Sequence, residues 1–433
     1  MNDRSLTCKH IGKYEVIHLL GKGSTSIVYL AWDRFAQRQV AVKLFRQEVL
    51  QDPEKGRLYK ILLLNEAALV GKLVHPHIIQ IYDAVPKGAE AYVVMEYAPG
   101  GTLEQLTRPD TLPTYDRVIE IIFKCTRALD YAFRQGITHR DIKPANILLM
   151  DPEGTDIRIT DFGTAIHSSS DTTQVSGVGS PAYMSPQQVR EMPLDQRTDI
   201  YSLGVVMFQL LTGHLPFESE NNYSLLYRIV NESAPLPSSL RPDIPVELDR
   251  IVGRAMLKDV ERRYQNWDEF SHDLALAFSN RNIHDRQSFT ETEKFQTLRA
   301  MPFFREFNDP ELWEVINMSH WAWFNPGSVV IKEGEGSQKQ FYFIARGEAK
   351  VKRNGRMLNI LTTGDCFGEM SFFAAASGIR SASVETSARS SIISIRSEIL
   401  EKASESCRMH FYKAFLEVVT TRLSLASARI VNN

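Results

Sequence analysis

Apolar and polar positions alternate through residues 14–45, YEVIHLLGKGSTSIVYLAWDRFAQRQVAVKLF, with a glycine turn between strand-like runs. A period of two predicts half-buried strands, so the chain opens on an antiparallel, β-rich unit. The period then lengthens. Residues 57–73, RLYKILLLNEAALVGKL, carry apolar side chains at helical spacing and place Glu66 within the predicted helix. YVVMEY at 92–97 reads as a short buried strand that stops at Pro99, Gly100 and Gly101. Between Tyr115 and Gln135, residues Val118, Ile119, Ile122, Cys125, Leu129, Ala132 and Phe133 recur every three or four positions, predicting a helix that Gly136 ends. Helical signals continue to about Phe278, with Pro-rich connections at 235–245, and a polar stretch at 279–297 predicts a linker. Beyond it, short strands separated by glycine turns predict a small barrel or jelly roll, and helical patterning returns at Ser397.

A chain of 433 residues is too long for one ordinary core. The pattern divides it into an N-terminal segment 1–13, a first unit over 14–278, a linker 279–297 and a second unit over 298–425. The fold class is α+β, a β-rich lobe and an α-rich lobe followed by a C-terminal barrel with flanking helices. With 43% apolar and 24% charged residues, the chain is neither disordered nor fibrous. Fifty basic against 52 acidic residues, with no Lys/Arg block, exclude nucleic acid as the expected partner. The apolar run IYSLGVVMFQLL from Ile200 is too short to cross a bilayer and follows Asp199, so no membrane insertion is expected. Cys8, Cys125, Cys366 and Cys407 lack metal-ligand spacing, and MNDRSLTCKH lacks the apolar core of a signal peptide. Free thiols in a reducing cytoplasm are the expectation.

The stretch ITHRDIKPANILLMDPEGTDIRITDFGTA, residues 137–165, sets two carboxylates around an ammonium and a carboxamide. Phosphoryl transfer spreads negative charge over the group in flight, so a protein contributes metal ions, cations and positioning. On that reading Asp141 takes the proton of an attacking hydroxyl and Lys143 steadies the phosphate, while Asn146 and Asp161 hold magnesium through hard oxygens. The remaining parts are present upstream. GKGSTSIV at 21–28 lets backbone amides approach phosphates, because Gly21 and Gly23 lack side chains. Lys43 ends VAVK on the following strand, and Glu66 on the helix can pair with it. A nucleotide-hydrolysing P-loop is excluded, since VIHLLGKGS has neither its leading glycine nor a Ser or Thr directly after Gly-Lys.

With these parts in order, residues 14 to about 278 resemble a Ser/Thr protein kinase domain of the bacterial type, through HRDIKPAN, DFG, SPAYMSPQ at 180–187 and DIYSLGV at 199–205. The resemblance implies a two-lobed fold, ATP and magnesium as cofactors, and protein substrates. It also implies that Val28, Ala41 and Leu148 sandwich adenine, that Met95 is the gatekeeper, and that the backbones of Glu96 and Ala98 face the base. Asp199 would buttress the catalytic loop. Lys143 and Ser180 imply a Ser or Thr acceptor. Two positions depart from the family: Ser26 replaces the third glycine, and Gln187 stands where Glu usually pairs with an arginine, here Arg263. Arg140, preceding Asp141, is placed to pair with a phosphoryl group on Ser168, Ser169, Ser170, Thr172, Thr173 or Ser176.

In the second unit FGEMSFFAAASGIRSASV, from Phe367, resembles the phosphate-binding cassette of cyclic-nucleotide-binding domains. The resemblance implies cyclic AMP or cyclic GMP as effector, with Arg380 on the cyclic phosphate, Glu369 accepting from a ribose hydroxyl, Gly368 leaving amides accessible and Ser381 adding a hydroxyl. Ile379 departs from the usual Pro, and the spacing from Glu369 to Arg380 is longer than usual. A kinase joined to a ligand barrel reads as a sensor enzyme, with a homodimer among the partners it allows. The competing reading is a pseudokinase scaffold whose barrel docks or dimerises without nucleotide.

Overall fold

The computed structural model describes residues 9–53, 56–86, 91–162, 166–167, 181–281, 289–336, 339–369 and 379–431. They form two compact units, Met1–Phe278 and Ser279–Asn433. Cys8, Ser168, Ser169, Ser170, Thr172, Thr173, Ser176 and Ser180 lie outside the described residues.

The first unit opens on a sheet of β1 (His10–Ile11), β2 (Tyr14–Lys22), β3 (Ser26–Asp33), β4 (Arg38–Phe45), β5 (Ile81–Val85) and β6 (Tyr92–Glu96) in the order β1-β2-β3-β4-β6-β5. Cross-strand partners share a face. Tyr29, Val42 and Val94 are partners on one face, where they join Tyr14, Ala31, Val40 and Tyr92 in a buried core. Val28 faces Lys43, and Leu30, Ala41 and Met95 line up beside them, so these side chains occupy the other face. Helix α1 (Gly56–Ala67) carries buried Leu63 and Glu66. It ends six residues before the apolar spacing does, and Gly71 beyond it adopts φ +69°.

Helices dominate the rest of the unit. Helix α2 (Tyr115–Arg134) is N-capped by Thr114, which accepts from Arg117 N–H, and Gly136 follows at φ +77°. It delivers the chain into β7 (Ile137–Thr138), which is followed by β8 (Ile147–Leu149) and β9 (Ile157–Ile159). β8 and β9 pair as an antiparallel hairpin, and β7 pairs with β10 (Ile166–His167). Helix α3 (Gln196–Thr212), capped by Asp195 and ended by Gly213 at φ +79°, is buried almost all round, as expected for the Ile200 run. A methyl on Gly204 would lie 2.8 Å from Ala255 Cβ, so glycine there permits close packing of α3 against the helix ending at Ala255. That helix is α5 (Val246–Ala255), which follows α4 (Asn222–Asn231) and precedes α6 (Trp267–Arg281). Among the described residues no helix is long and apolar enough to cross a membrane.

Among its described residues the second unit begins with helices. Helix α7 (Glu291–Ala300) takes in the end of the expected linker, from Glu291 to Thr297, started by a capping box between Thr290 and Glu293. Helix α8 (Asp309–Met318) follows. Among the described residues eight strands come next: β11 (Ser319–Phe324), β12 (Val329–Ile331), β13 (Gln340–Arg346), β14 (Glu348–Arg353), β15 (Arg356–Thr362), β16 (Cys366–Phe367), β17 (Ser383–Thr386) and β18 (Ser390–Arg396). They make two four-stranded sheets, β11-β18-β13-β16 and β12-β17-β14-β15, the jelly-roll arrangement that the turn spacing predicts. Ile331, Ile344, Ala349, Leu361, Phe367, Val384 and Ile392 form the core between them. On the other face of the first sheet, Phe341 and Phe343 meet Phe303, and Phe303 meets Phe411 at 5.1 Å. Phe411 belongs to α9 (Glu405–Val431), whose start is held where Glu311 of α8 accepts from Ser406 and bonds the ring of His410.

Candidate active site and ligand site

The β8–β9 hairpin sets the first constellation. Thr160 N–H donates to Asn146 O (2.9 Å), fixing the residue before Asp161 against the start of β8. Asp161 and Arg140 both adopt φ +69°, a left-handed conformation that non-glycine residues hold only under surrounding constraint. The constraint is visible for Arg140. Asp199, buried on α3, accepts from His139 N–H (2.7 Å) and Arg140 N–H (2.8 Å) with separate oxygens. Burial pushes the Asp199 carboxyl up, while His139 and the two amides oppose that shift.

Lys43 is reached from two sides. Its ammonium bonds both oxygens of Glu66 (3.2 and 3.0 Å) and also pairs with Asp161. Burial alone would lower the lysine, but Asp161 and Glu66 outweigh it and hold the ammonium above its ordinary range. Asp161 is held below the carboxylate range against the opposing effect of burial, with Lys43 the leading cause and Lys143 contributing. Across the hairpin, Lys143 Nζ lies 2.7 Å from Asp141, and Asn146 donates to Asp141 O (2.8 Å) and Oδ2 (3.1 Å). The structure therefore brings Lys43, Glu66 and Asp161 into one charge cluster, and Asp141, Lys143 and Asn146 into a second that Asn146 and Lys143 link to it.

The apolar set assembles by register. Val28, Ala41 and Met95 share a sheet face with Lys43, and a β-bridge between Thr102 and Leu148 fastens Leu148 beside the segment after β6. Gly100 N–H donates to Leu149 O (2.9 Å), and Leu149 N–H returns a bond to Gly101 O (2.8 Å). Glu96 ends β6 with its carboxylate on Arg158 (3.2 Å), and Ala98 lies just beyond. A side chain on Gly21 would meet no atom within 4 Å, and one on Gly23 would first meet Ser26 O at 3.5 Å. The space over both glycines is open. Two residues of this region carried no assignment from the sequence. His139 bonds Thr160 O (2.9 Å) and packs its ring at a tilt of 54° against buried Phe162 (4.5 Å between rings), and Gln188 donates to Arg140 O (2.8 Å). His139 stood in view within HRD; nothing in the spacing marks Gln188.

Residues 14–294 match the protein kinase domain model. The chain belongs to the protein kinase family. The kinase match runs past Phe278, the end of the first compact unit. The kinase is 35% identical over 280 residues to a probable serine/threonine-protein kinase of Clostridium acetobutylicum, covering 64% of this chain and 42% of that protein. It is 34% identical over 305 residues to the serine/threonine-protein kinase PknB of Mycolicibacterium smegmatis, covering 68% and 48%. It is 33% identical over 297 residues to the serine/threonine-protein kinase PrkC of Bacillus subtilis, covering 68% and 45%. The chain spans less than half the length of these curated relatives. Residues 321–407 of the kinase match the cyclic nucleotide-binding domain model.

Within that second match, Gly368 adopts φ +85°, and a Cβ there would lie 2.9 Å from the Tyr342 ring. Buried Arg380 sits over the same ring (5.6 Å to its centre), with Nη1 3.4 Å from Gly368 O. Burial lowers the Arg380 guanidinium, opposed by Tyr342 and Glu369. Glu369 accepts from Arg422 of α9 (2.7 Å), and Ser381 is exposed beside Arg380. Gly368, Glu369 and Arg380 are thus gathered at one end of the jelly roll. A cavity of about 450 Å³, lined by Ala322, Phe324, Val330, Ile392 and Ser394, also takes in Tyr342 and Gln340, which abut Gly368. Tyr342 and Arg422 are the members of this region that the sequence did not single out. Cys125, Cys366 and Cys407 are buried free thiols.

Proposed function

We propose that this chain is a serine/threonine protein kinase that transfers the γ-phosphate of ATP to protein hydroxyls, with the jelly roll as its cyclic-nucleotide sensor. The observation that carries the reading is Lys43 held at once by Glu66 and Asp161, while Asn146 and Lys143 both engage Asp141. In this reading the amides over Gly21 and Gly23 cradle the phosphates, Lys43 grips the outer ones, and Val28, Ala41, Leu148 and Met95 enclose adenine. Asn146 spends its amide nitrogen on Asp141, which leaves its carboxamide oxygen, together with the Asp161 carboxylate, as a hard donor pair suited to magnesium. Magnesium, when bound, supplies positive charge to the phosphate oxygens. Asp141 receives the proton of the substrate hydroxyl, and Lys143 steadies the phosphate beside it.

In the second unit, Arg380 would bind the cyclic phosphate and Glu369 a sugar hydroxyl. Such a ligand shifts kinase activity only by binding one state better than another. The buried free thiols support a reducing cytoplasm as the compartment. The test is phosphorylation of a basic carrier protein by the full chain with labelled ATP and magnesium, with and without cyclic AMP or cyclic GMP. Wild type should incorporate label on Ser or Thr, and Asp161→Ala should lose nearly all of it; equal incorporation by both would refute the assignment.

A further inference from the structure

Gln188 stands 48 residues beyond Arg140, in the short helix Pro186–Val189, yet its side chain closes on the backbone of the loop that carries Asp141. Nε2 donates to Arg140 O (2.8 Å), and Oε1 accepts from Ser185 N–H (2.9 Å). A main-chain N–H can only donate and a carbonyl can only accept, so the two partners fix the carboxamide in one orientation. Neither a carboxylate nor an alkyl chain of that length serves both. The peptide between Arg140 and Asp141 is thereby held at each end, its oxygen by Gln188 and its N–H by His139 Nδ1 (3.3 Å). Rotating that peptide plane would swing the backbone from which the Asp141 side chain springs.

We infer that Gln188 is a positioning residue for Asp141, acting through the Arg140 carbonyl. The inference rests on the reading of Asp141 as the group that receives the substrate proton. Its mount is rigid. Ser202 of α3 donates to Tyr183 O (2.8 Å), the Tyr183 hydroxyl donates to Gln209 of α3 (2.6 Å), and Gln187 accepts from Arg263. Asp199 belongs to the same α3 and takes the N–H of Arg140. Arg140 is therefore gripped from one frame, by its N–H through Asp199 and by its carbonyl through Gln188. At φ +69° it is in a conformation that a non-glycine residue keeps only when its surroundings over-determine it. With Gln188 gone, one of those two grips is lost, and the carboxylate two bonds further on loses its fixed aim. The effect belongs on the rate of transfer and not on the hold of nucleotide, because Lys43, Glu66 and Asp161 are untouched.

The experiment uses the full chain with ATP, magnesium and a basic carrier protein, measuring kcat and the KM for ATP. Gln188→Met keeps the length and loses the donor, and should lower kcat about tenfold, as small misplacements of a reacting group do, with the KM for ATP moved less than about twofold. Gln188→Glu keeps the acceptor for Ser185 and turns an oxygen toward the Arg140 carbonyl. That substitution should cost at least as much near neutral pH, yet its protonated form can donate where glutamine did. The ratio of Gln188→Glu to wild-type kcat should therefore rise about threefold or more as pH is lowered from about 8 to about 6, since an ionised carboxyl is disfavoured facing a carbonyl. His139, Asp141 and Asp199 titrate in both proteins and cancel in that ratio. A merely structural role would give a flat ratio, and acid would not restore a misfolded variant. A kcat for Gln188→Met equal to wild type, a loss carried by the KM for ATP, or a flat ratio for Gln188→Glu would each overturn the inference. Failure of the kinase reading looks different: wild type itself would transfer no phosphate.

Discussion

Arg263 points both terminal nitrogens at one atom, Gln187 Oε1, at 3.2 and 3.3 Å. The guanidinium is almost fully buried and also donates to Leu257 O and Arg197 O. The pairing expected from the sequence therefore exists with a carboxamide as acceptor. Burial drives the Arg263 pKa down to about 10, opposed first by Tyr201 and then by Asp195 and Asp259. Gln187→Glu should supply the missing charge-assisted bond and stabilise the fold by roughly 1–2 kcal/mol, given the strength of hydrogen bonds to charged groups. Urea unfolding monitored by fluorescence checks this; a lower midpoint would show that desolvating the new carboxylate wins.

Asp199→Ala should damage both the fold and phosphorylation. It strands the buried amides of His139 and Arg140, at about 1–3 kcal/mol per unsatisfied group. It also releases the left-handed Arg140. Calorimetric unfolding should show a loss of roughly 2–4 kcal/mol, and phosphorylation should fall with it even at temperatures where the variant is folded.

Acid should destabilise the first unit through His75 and His77. Burial holds His75 well below 6.5, with His77 and Arg127 adding to it, and lowers His77 despite the opposing Asp156. His77 N–H donates to His75 Nδ1 (3.1 Å), an acceptor that protonation removes. The unfolded chain binds protons near pH 6.5 while the folded chain does not, so stability is full above that pH and falls as pH drops below it. His75→Gln should flatten the melting temperature measured between pH 7 and pH 5; an unchanged slope would exclude His75 as the source.

Arg140 carries a buried Nε that has no hydrogen-bond partner among the described residues. A phosphoryl group on the 168–176 stretch would meet that donor. Phosphatase treatment should reduce activity in wild type, and Arg140→Met should make activity indifferent to it. Mass spectrometry of fully active protein that finds no phosphate in 165–180 would refute the switch.

The β-rich opening was legible because its alternation sets one face on a core of Tyr14, Val42 and Val94 and the other on the side that carries Lys43, Ala41 and Met95. Helix α2 was legible because its apolar residues recur at helical spacing, although burial runs through nearly every residue from Val118 to Ala132 and takes in Lys124, Arg127 and Asp130 as well. The end of α1 was not, because Leu69 and Leu73 remain buried after the helix stops and so continue its apolar rhythm. Helix α7 was hidden for the opposite reason: among its ten residues Thr292, Phe295 and Leu298 alone are buried, too few to rise above the polar background. The candidate residues Asp141, Lys143, Asn146 and Asp161 showed through because they stand in one short stretch of fixed local order. Arg422 did not, since no local pattern announces a partner 53 residues away.

The paired amides of Gly100 and Leu149 have a consequence for what this chain can tolerate. A single methyl added at Gly100 would sit 2.5 Å from Leu149 O and 2.9 Å from Asp151 C, both of them backbone atoms that no rotamer can move aside. Any heavier residue at that position acts as a wedge driven between the segment after β6 and the β8–β9 hairpin, widening the gap across which, on the reading proposed above, Met95 and Leu148 would meet a planar base. Drift in the sequence at this one place would blunt nucleotide grip while leaving every charged side chain untouched.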